Sequence, residues 1–347
     1  MPFGQIVIGP PGSGKSTYCN GCSQFFNAIG RHAQIVNMDP ANDRLPYPCA
    51  VDIRDFITVE EIMSEQHLGP NGGLMYAMES LNKSIDLFIM QIKSLVEQEK
   101  AYLVFDCPGQ VELFTHHSAL FHVFKRLERD LQIRLCVVNL IDCFYLTSPT
   151  QYISILMLAL RSMLMMDLPQ INVFSKIDKI KSYGELPFRL DYYTEVQDLD
   201  YLIPHIESKS SGIMAKKYSK LTETISELVT DFNLVSFEVL AVDDKESMIT
   251  LQSIVDKANG YIFGSSEVGG DTVWAEATRE GALIANYDIQ DRWIDNKEEY
   301  DKAERERQEE ILRDRQMQEK EIDVDNEDEW EAALRDWEEK QQMDYVR

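Results

Sequence analysis

Short runs of apolar residues recur along the first 242 positions of this sequence and lack the polar alternation of a half-exposed strand. Runs of this kind are typical of strands that other elements cover on both faces. They predict six strands, at residues 3–8, 34–37, 102–105, 135–141, 171–174 and 235–242.

Amphipathic helical patterns separate these runs. In the clearest pattern, apolar residues from Leu81 to Val96 recur at a spacing that keeps one stripe of a helix against a sheet. Thr58, with Glu61 three positions later, forms a capping-box pattern and predicts the start of another helix. Strands that alternate with helices predict an α/β fold with a doubly wound, mostly parallel sheet flanked by helices.

The first predicted strand runs into a glycine-rich segment that matches the pattern G-x-x-x-x-G-K-[ST] and leads into a helix. Small residues in this pattern let successive backbone N–H groups surround a phosphate, and the helix N-terminus adds partial positive charge. We expect the lysine to reach the β- and γ-phosphates and the following serine to bind Mg²⁺. The sequence therefore predicts a P-loop NTPase whose phosphate-binding residues are Gly12, Ser13, Gly14, Lys15, Ser16 and Thr17.

A second acidic element follows the predicted strand at 102–105, where segment 106–110 reads DCPGQ. We expect Asp106 to hold Mg²⁺ through its water shell and the Gly109 N–H to sense the γ-phosphate. Gln110 stands where a switch residue orients the attacking water. A plain turn after a strand is the alternative interpretation.

Another acidic side chain, Asp39, follows the second predicted strand. At this strand end it could act on the lytic water or on the water shell of the metal. The Asp-Pro and Asn-Asp pairs of segment 39–43 are also typical of a simple turn, which is the alternative.

The base-recognition pattern follows the fifth predicted strand, where residues 175–178 read SKID. In this pattern the Asp178 carboxylate accepts both guanine donors, and the stem of Lys176 covers the ring. Adenine has no such donor pair, so the pattern predicts GTP over ATP. Ser175 replaces the more usual asparagine and weakens one polar contact. After the last predicted strand, we expect the backbone of the loop near Ala241 to Asp243 to cover the base edge.

Acidic residues outnumber basic ones by 59 to 34, which gives a formal net charge of −25 at pH 7. Such a surface repels phosphate backbones and argues against direct binding of nucleic acid. The apolar runs suit neither a signal peptide nor a membrane span, so we expect no membrane contact. The six cysteines suit reduced thiols, which favours a cytoplasmic location.

Charge is concentrated at the C-terminal end, where residues 291–347 contain 22 acids and 11 bases. This composition predicts a charged tail that is helical or disordered. A docking segment is the alternative, because Trp330, Leu334 and Trp337 would share one stripe of a helix.

The motifs and the change in composition together predict three regions. A P-loop GTPase domain is expected at residues 1–262, followed by a linker at 263–290 and the acidic tail at 291–347.

Segment 69–73, which reads GPNGG, is not explained by nucleotide binding in a single chain. Its proline stiffens the backbone and its glycines permit N–H groups to point at an anion, so we expect a loop tip that closes the preceding helix. With segments 37–43, 106–112 and 175–178, it stands in the order found in the GPN-loop GTPases, and the sequence resembles that family.

The resemblance covers roughly residues 1–260 and implies a dimeric enzyme that binds GTP or GDP with Mg²⁺ and hydrolyses GTP. It implies that Gly69, Pro70 and Asn71 enter the neighbouring subunit's active site and contact the γ-phosphate and the lytic water. It also implies that Asp39 and Asp106 serve hydrolysis and the metal, and that Gln110 orders the switch.

The resemblance extends to cellular role. The family is implicated in the assembly and nuclear import of RNA polymerase II, with paralogues that pair as heterodimers. It therefore implies polymerase subunits or assembly factors as partners, and a cytoplasmic protein that shuttles to the nucleus. Whether the chain forms a homodimer or a heterodimer stays open.

Two other functions remain open at this stage: a small-molecule kinase with a P-loop, and a scaffold that binds GTP without turnover. A kinase of this kind needs an Arg-rich lid, whereas the arginines between Asp106 and Ser175 are scattered. A Met-rich helix at 155–166 could pack in the core, form the dimer interface or capture a peptide.

Overall fold

The computed structural model describes residues 2–209, 213–261, 274, 277, 288–307, 309, 310 and 313. The chain divides into two compact units, Met1–Gln290 and Asp291–Arg347. The predicted stripe of Trp330, Leu334 and Trp337 lies outside the described residues.

Within the described residues of the first unit, seven strands form one sheet in the order β3-β2-β4-β1-β5-β6-β7, and all neighbouring strands are parallel. The predicted α/β fold with a doubly wound sheet is therefore confirmed. The strands are β1 Phe3–Ile8, β2 Ala33–Asn37, β3 Val51–Asp52, β4 Tyr102–Asp106, β5 Arg134–Asp142, β6 Gln170–Ser175 and β7 Phe237–Leu240.

Helices cover the sheet and connect its strands. Their bounds are α1 Lys15–Ala28, α2 Val59–Gln66, α3 Pro70–Lys83, α4 Ile85–Glu97, α5 Glu112–Thr115, α6 Ala119–Leu131, α7 Pro149–Met166, α8 Ile180–Tyr183, α9 Leu190–Glu195, α10 Ile203–Lys209, α11 Ile213–Phe232 and α12 Lys245–Asn259. Among the described residues, no helix is long and apolar enough to cross a membrane.

Both faces of the sheet are buried, which explains why the strand sequences are apolar throughout. On β4, Leu103 and Phe105 belong to one core cluster, which includes buried residues of α3, α4 and α6. Tyr102 and Val104 belong to the other cluster, which includes residues of α1 and α12. β4 therefore contributes alternate side chains to two cores.

The GPNGG segment does not form the predicted loop tip. The Thr58 hydroxyl caps α2 by accepting the Glu61 N–H at 3.4 Å, as expected, but α2 ends at Gln66. Gly69 is the N-cap of α3 and Pro70 is its first residue. Proline suits this position because the first turn of a helix needs no N–H partner. The prediction of a loop that closes the preceding helix is therefore wrong, and the segment begins a helix.

The Met-rich segment lies on α7, whose buried residues include Ile155, Leu156, Leu160 and Met166. This burial fits the core-packing interpretation for one face of the helix. Leu164 of the same helix is 53 % exposed.

In the second unit, the turn Asp291–Asp295 precedes helical residues at 297–307. Arg292 pairs with Asp301 at 2.8 Å and with Glu304 at 3.4 Å. The described beginning of the acidic segment is therefore helical, which is one of the two forms predicted for the tail.

A buried ion pair joins the end of α1 to α12. Arg31 is 2 % exposed and donates two hydrogen bonds to Asp256, at 2.9 and 2.6 Å. Its guanidinium lies over the ring of Tyr261, 4.0 Å from the centroid, and the Trp274 Nε1 donates to Asp256 at 2.8 Å. Both charges are thus satisfied away from water.

We predict that Asp256→Asn lowers the free energy of unfolding by roughly 3–5 kcal/mol, because it leaves the buried Arg31 charge without its partner. Urea denaturation measures the change. The matched control is Asp86→Asn, which removes the exposed partner of Arg126 and should change stability little. Equal losses in the two variants would contradict the assignment of Arg31 and Asp256 as a buried structural pair.

Candidate nucleotide-binding site

The parallel sheet brings the sequence motifs together. Because all strands run in the same direction, the loops that follow them emerge at one edge of the sheet. The chain connections change direction beside β1, and this is the point where open α/β sheets bind ligands. The loops after β1, β2, β4, β6 and β7, with the adjoining ends of strands and of α1, carry the predicted site residues other than Gly69, Pro70 and Asn71.

The glycine-rich segment forms a tight loop between β1 and α1. A Cβ atom on Gly9 would lie 2.1 Å from the carbonyl oxygen of Leu140, and the φ angle there is 147°, so only glycine fits. Gly12 and Gly14 also have positive φ angles, 77° and 89°. A Cβ on Gly12 would meet none of the described residues within 4 Å, so this part of the loop borders open space.

Lys15 folds back over its own loop. Its Nζ donates to the carbonyl oxygens of Gly9 at 3.1 Å and Pro10 at 3.3 Å. The residue is 9 % exposed. Burial lowers the pKa of Lys15, although the carboxylates of Asp106 and Asp39 oppose this change. The ammonium is thus held inside the phosphate loop, where an anion would replace weak carbonyl partners.

The Asp106 carboxylate lies at the end of β4 and receives two hydroxyl groups on one oxygen. Ser16 donates to its Oδ2 at 2.8 Å, and Tyr47 donates to the same atom at 2.7 Å. The Oδ1 atom is buried and has no hydrogen-bond partner within the described part of the chain. Burial raises the pKa of Asp106.

This donor set fits a magnesium ion. A serine hydroxyl and an aspartate carboxylate are the hard oxygen ligands that Mg²⁺ prefers. The unpartnered Oδ1 of Asp106 is a buried acceptor that a metal-bound water would satisfy. Ser16 and Asp106, which the sequence predicts as metal-binding residues, are therefore in direct contact.

Asp39 lies in the loop after β2, and Asn37 fixes that loop. The Asn37 side chain accepts the Asp39 N–H at 3.1 Å and donates to the Asp39 carbonyl at 3.2 Å. The Asp39 carboxylate accepts the Ala41 N–H at 3.0 Å, which is the local turn that its sequence suggested. Burial raises the pKa of Asp39, while the charge of Lys15 lowers it. Asp39 is thus a half-buried carboxyl within electrostatic reach of Lys15.

The loop after β4 packs closely on the phosphate loop. A Cβ on Gly109 would lie 3.0 Å from the Lys15 Nζ and 3.2 Å from the Pro11 Cα. Gln110 follows, and its Oε1 is buried without a hydrogen-bond partner in the described residues. A larger residue at Gly109 would therefore displace the lysine.

The loop after β6 is tied to the phosphate loop from the other side. The Ser175 hydroxyl donates to the Ser13 carbonyl at 2.7 Å, and the Lys176 Nζ donates to the Gly12 carbonyl at 2.6 Å. Ser175 therefore contacts the phosphate loop, whereas its sequence position suggested only a weakened contact to the base.

A cavity of about 140 Å³ lies between these loops. Loop residues after β7 complete its wall. In the loop predicted at 241–243, Val242 and Asp243 line the cavity. Ala241 does not, because it is buried and its N–H donates to the Ser247 hydroxyl at 3.2 Å. The predicted nucleotide-binding residues in the lining are Ser13, Gly14, Thr17, Ser175, Lys176 and Asp178.

The structure does not bring Gly69, Pro70 and Asn71 into this group. All three are exposed at the N-terminus of α3. Among the described residues, no hydrogen bond joins them to the phosphate loop.

Tyr47 is a residue of the site that sequence reasoning missed. It is 5 % exposed and contacts Asp106 from a loop without a repeating pattern. Only the three-dimensional closure of segment 38–50 onto β4 places its hydroxyl there, so no local signal in the sequence identifies it.

Comparisons with known proteins agree with this geometry. The family described as "Conserved hypothetical ATP binding protein" matches residues 7–261. GPN-loop GTPase 2 of Saccharomyces cerevisiae is 80 % identical over 347 residues, which is 100 % of both chains. GPN-loop GTPase QQT1 of Arabidopsis thaliana is 51 % identical over 263 residues, 76 % of this chain and 87 % of the relative.

A crystal structure of a GTPase in apo form from Pyrococcus abyssi shares the fold. Its TM-score is 0.57 at 23 % identity, over 74 % of this chain and 97 % of that chain. Together with the identity to the two relatives over most of their length, the matched motifs lead to one conclusion: this chain belongs to the GPN-loop GTPase family and is a GTPase.

Proposed function

We propose that this GTPase binds GTP with Mg²⁺ at the edge of the sheet described above and selects guanine through Asp178. The contact that supports this proposal most directly is the pair of hydrogen bonds that tie the base loop to the phosphate loop, from Ser175 and Lys176. These bonds hold a phosphate-binding loop and a cavity lined by Asp178 in one rigid arrangement.

In the proposed complex, Lys15 leaves the carbonyls of Gly9 and Pro10 and binds the β- and γ-phosphates. Ser16 and Asp106 hold Mg²⁺, which when bound neutralises charge on the phosphate oxygens. Asp39 acts on the lytic water or on the water shell of the metal, and its nearness to Lys15 supports that role.

Gln110 and Gly109 complete the γ-phosphate side of the proposed site. Gly109 lies against Lys15, so its N–H is close to the atoms that would bind the γ-phosphate. The buried, unpartnered Oε1 of Gln110 supports a role in orienting the lytic water, because an ordered water would satisfy it.

We further propose that the enzyme is a dimer and that Gly69, Pro70 and Asn71 act on the neighbouring subunit's nucleotide. Their exposure at the start of a helix supports this, because a helix N-terminus offers N–H groups and partial positive charge to a phosphate. Their separation from the phosphate loop of their own chain supports a partner's site as the target.

On the family resemblance alone, we propose that the chain assists the assembly and nuclear import of RNA polymerase II. The protein would then work in the cytoplasm and shuttle to the nucleus, alone as a homodimer or with a paralogue. The acidic segment 291–347 suits contact with basic surfaces of polymerase subunits or assembly factors.

Guanine selection is tested by Asp178→Asn. We predict that the variant binds GTP roughly 10- to 100-fold more weakly, because it loses charge-assisted hydrogen bonds to the base. Its affinity for xanthosine triphosphate should rise, since the amide can donate to the 2-carbonyl of xanthine. Titration with labelled GTP, ATP and xanthosine triphosphate measures this. Equal affinity of the wild-type protein for GTP and ATP would contradict guanine selection.

Action in trans is tested by Asn71→Ala. We predict a fall in turnover of roughly 100-fold with GTP affinity nearly unchanged, because the side chain acts only on the reacting end of the nucleotide. Mixing this variant with Lys15→Ala, which retains Asn71 but loses phosphate binding, should restore activity.

The matched control for that mixture is the double variant Lys15→Ala/Asn71→Ala. It should mix with Asn71→Ala equally well and restore nothing, because it has no intact Asn71. Rescue of Asn71→Ala by both Lys15→Ala and the double variant would contradict action in trans. So would the absence of rescue by Lys15→Ala when native mass measurement shows mixed dimers.

The role of the tail is tested by ending the chain at residue 313. We predict unchanged GTP turnover, because the described site residues all lie before position 248. Recovery of RNA polymerase II subunits with the tagged protein should fall. Undiminished recovery would contradict a role of residues 314–347 in this contact.

A further inference from the structure

Lys176, the predicted wall of the base pocket, is held at both ends by residues at the end of β5. We propose that Asp142 is a positioning residue for guanine binding, acting through Lys176. This inference rests on the proposed function, because it assumes that the cavity at Lys176 and Asp178 receives the guanine base.

The backbone of Lys176 has an unusual conformation. Its φ angle is 58°, in the left-handed region, which is unfavourable for a residue with a side chain. The Cys143 thiol donates to the Lys176 carbonyl at 3.1 Å, and the Lys179 N–H donates to the same carbonyl at 2.9 Å. These bonds fix the start of the turn Ile177–Lys179, which carries Asp178.

The side chain of Lys176 is fixed as firmly. Its Nζ donates to the Asp142 Oδ2 at 2.7 Å and to the Gly12 carbonyl at 2.6 Å. Its Cε lies 3.8 Å from the position that a Cβ on Gly14 would take, so the aliphatic stem crosses the phosphate loop there. The stem thereby forms one wall of the cavity.

Asp142 is itself held in place on both oxygens. It is opposite Ser175 in the pairing of β5 with β6, and its Oδ1 accepts the Phe144 N–H at 2.9 Å. The Asp142 side chain is 18 % exposed, against 31 % for Lys176. A carboxylate fixed by a strand and a turn cap is a rigid anchor, whereas a lysine side chain alone loses much rotamer entropy on ordering.

The electrostatics also support a positioning role for Asp142. Burial tends to lower the pKa of Lys176, but the hydrogen bond and charge of Asp142 raise it above its ordinary value. Asp142 therefore keeps the ammonium charged and beside Gly12, with the stem extended along the pocket. Without Asp142, the lysine would sample other rotamers and leave the ring face of the base uncovered.

This arrangement acts on the base and not on the phosphates. A change at Asp142 should consequently weaken GDP and GTP binding by the same factor, through faster dissociation. Turnover at saturating GTP should be unaffected, because Lys15, Ser16 and Asp106 do not contact Asp142 in the described structure.

The test is Asp142→Asn, measured as the affinity and dissociation rate of fluorescent GDP and GTP. The asparagine Oδ1 can still accept the Phe144 N–H, so the turn cap is retained. We expect about 10-fold weaker binding of both nucleotides, as for a weakened charge-assisted hydrogen bond. The matched control is Asp167→Asn, which removes the exposed partner of Lys125 and should leave both affinities unchanged.

Lys176→Met separates positioning from a structural effect. This variant keeps an aliphatic stem but lacks the ammonium, and it should lose about as much affinity as Asp142→Asn. Adding Asp142→Asn to Lys176→Met should then cause no further loss, because the two residues act through one contact. A structural role for Asp142 predicts instead that the losses multiply.

Two outcomes overturn the inference: unchanged nucleotide affinity in Asp142→Asn, or multiplied losses in the double variant. Both outcomes overturn the inference when the wild-type protein binds GTP more tightly than ATP. Absence of that preference in the wild-type protein contradicts the proposed function instead, so the two failures are distinguishable.

Discussion

A buried positive charge in an acidic protein is the constraint on which the site depends. The chain carries a formal net charge of −25, yet Lys15 is almost enclosed. Within the described part of the chain, its ammonium donates only to two carbonyl groups of its own loop. Burial disfavours its charge, and nearby carboxylates restore it only in part. The loop is therefore arranged for a stronger anionic partner, and a GTPase obtains that partner from its nucleotide.

The neighbouring loops are placed around this lysine by the parallel sheet. Gly109 approaches Lys15 from β4, Asp106 receives Ser16 from α1, and the base loop after β6 contacts the carbonyls of Ser13 and Gly12. The segments predicted to bind the phosphates and the base thus meet on the backbone of one short loop.

Local patterns predicted the parts of the fold that have local causes. Six strands were recognisable because both of their faces are buried, and the phosphate loop because its glycines meet backbone constraints such as the one at Gly9. The two-residue strand β3 is too short to show a pattern. The apolar stripe from Leu81 to Val96 predicted one helix, but Ser84 divides it between α3 and α4. The pattern did not reveal this break, because the apolar residues continue across it.

The remaining features depend on contacts between distant segments. Tyr47 reaches Asp106 across 59 positions, and Ser175 reaches Ser13 across 162. No spacing rule encodes such contacts. The GPN segment was recognised as a motif, but its place at the start of a helix depends on where α2 ends. α2 ends at Gln66, where His67 adopts a left-handed conformation. Ala241 shows the same limit, since its N–H donates to the Ser247 hydroxyl and only the next two residues of its loop line the cavity.

The central claim is that Lys15 and Ser16 exchange partners inside this site for those of a bound nucleotide. A crystal structure with Mg²⁺ and a non-hydrolysable GTP analogue tests it most directly. We expect Lys15 to bind the β- and γ-phosphates and Ser16 to bind the metal. Lys176 should still contact Gly12 and Asp142, with its stem along the guanine ring. A complex in which Lys15 remains on the carbonyls of Gly9 and Pro10 while the nucleotide binds elsewhere would contradict it.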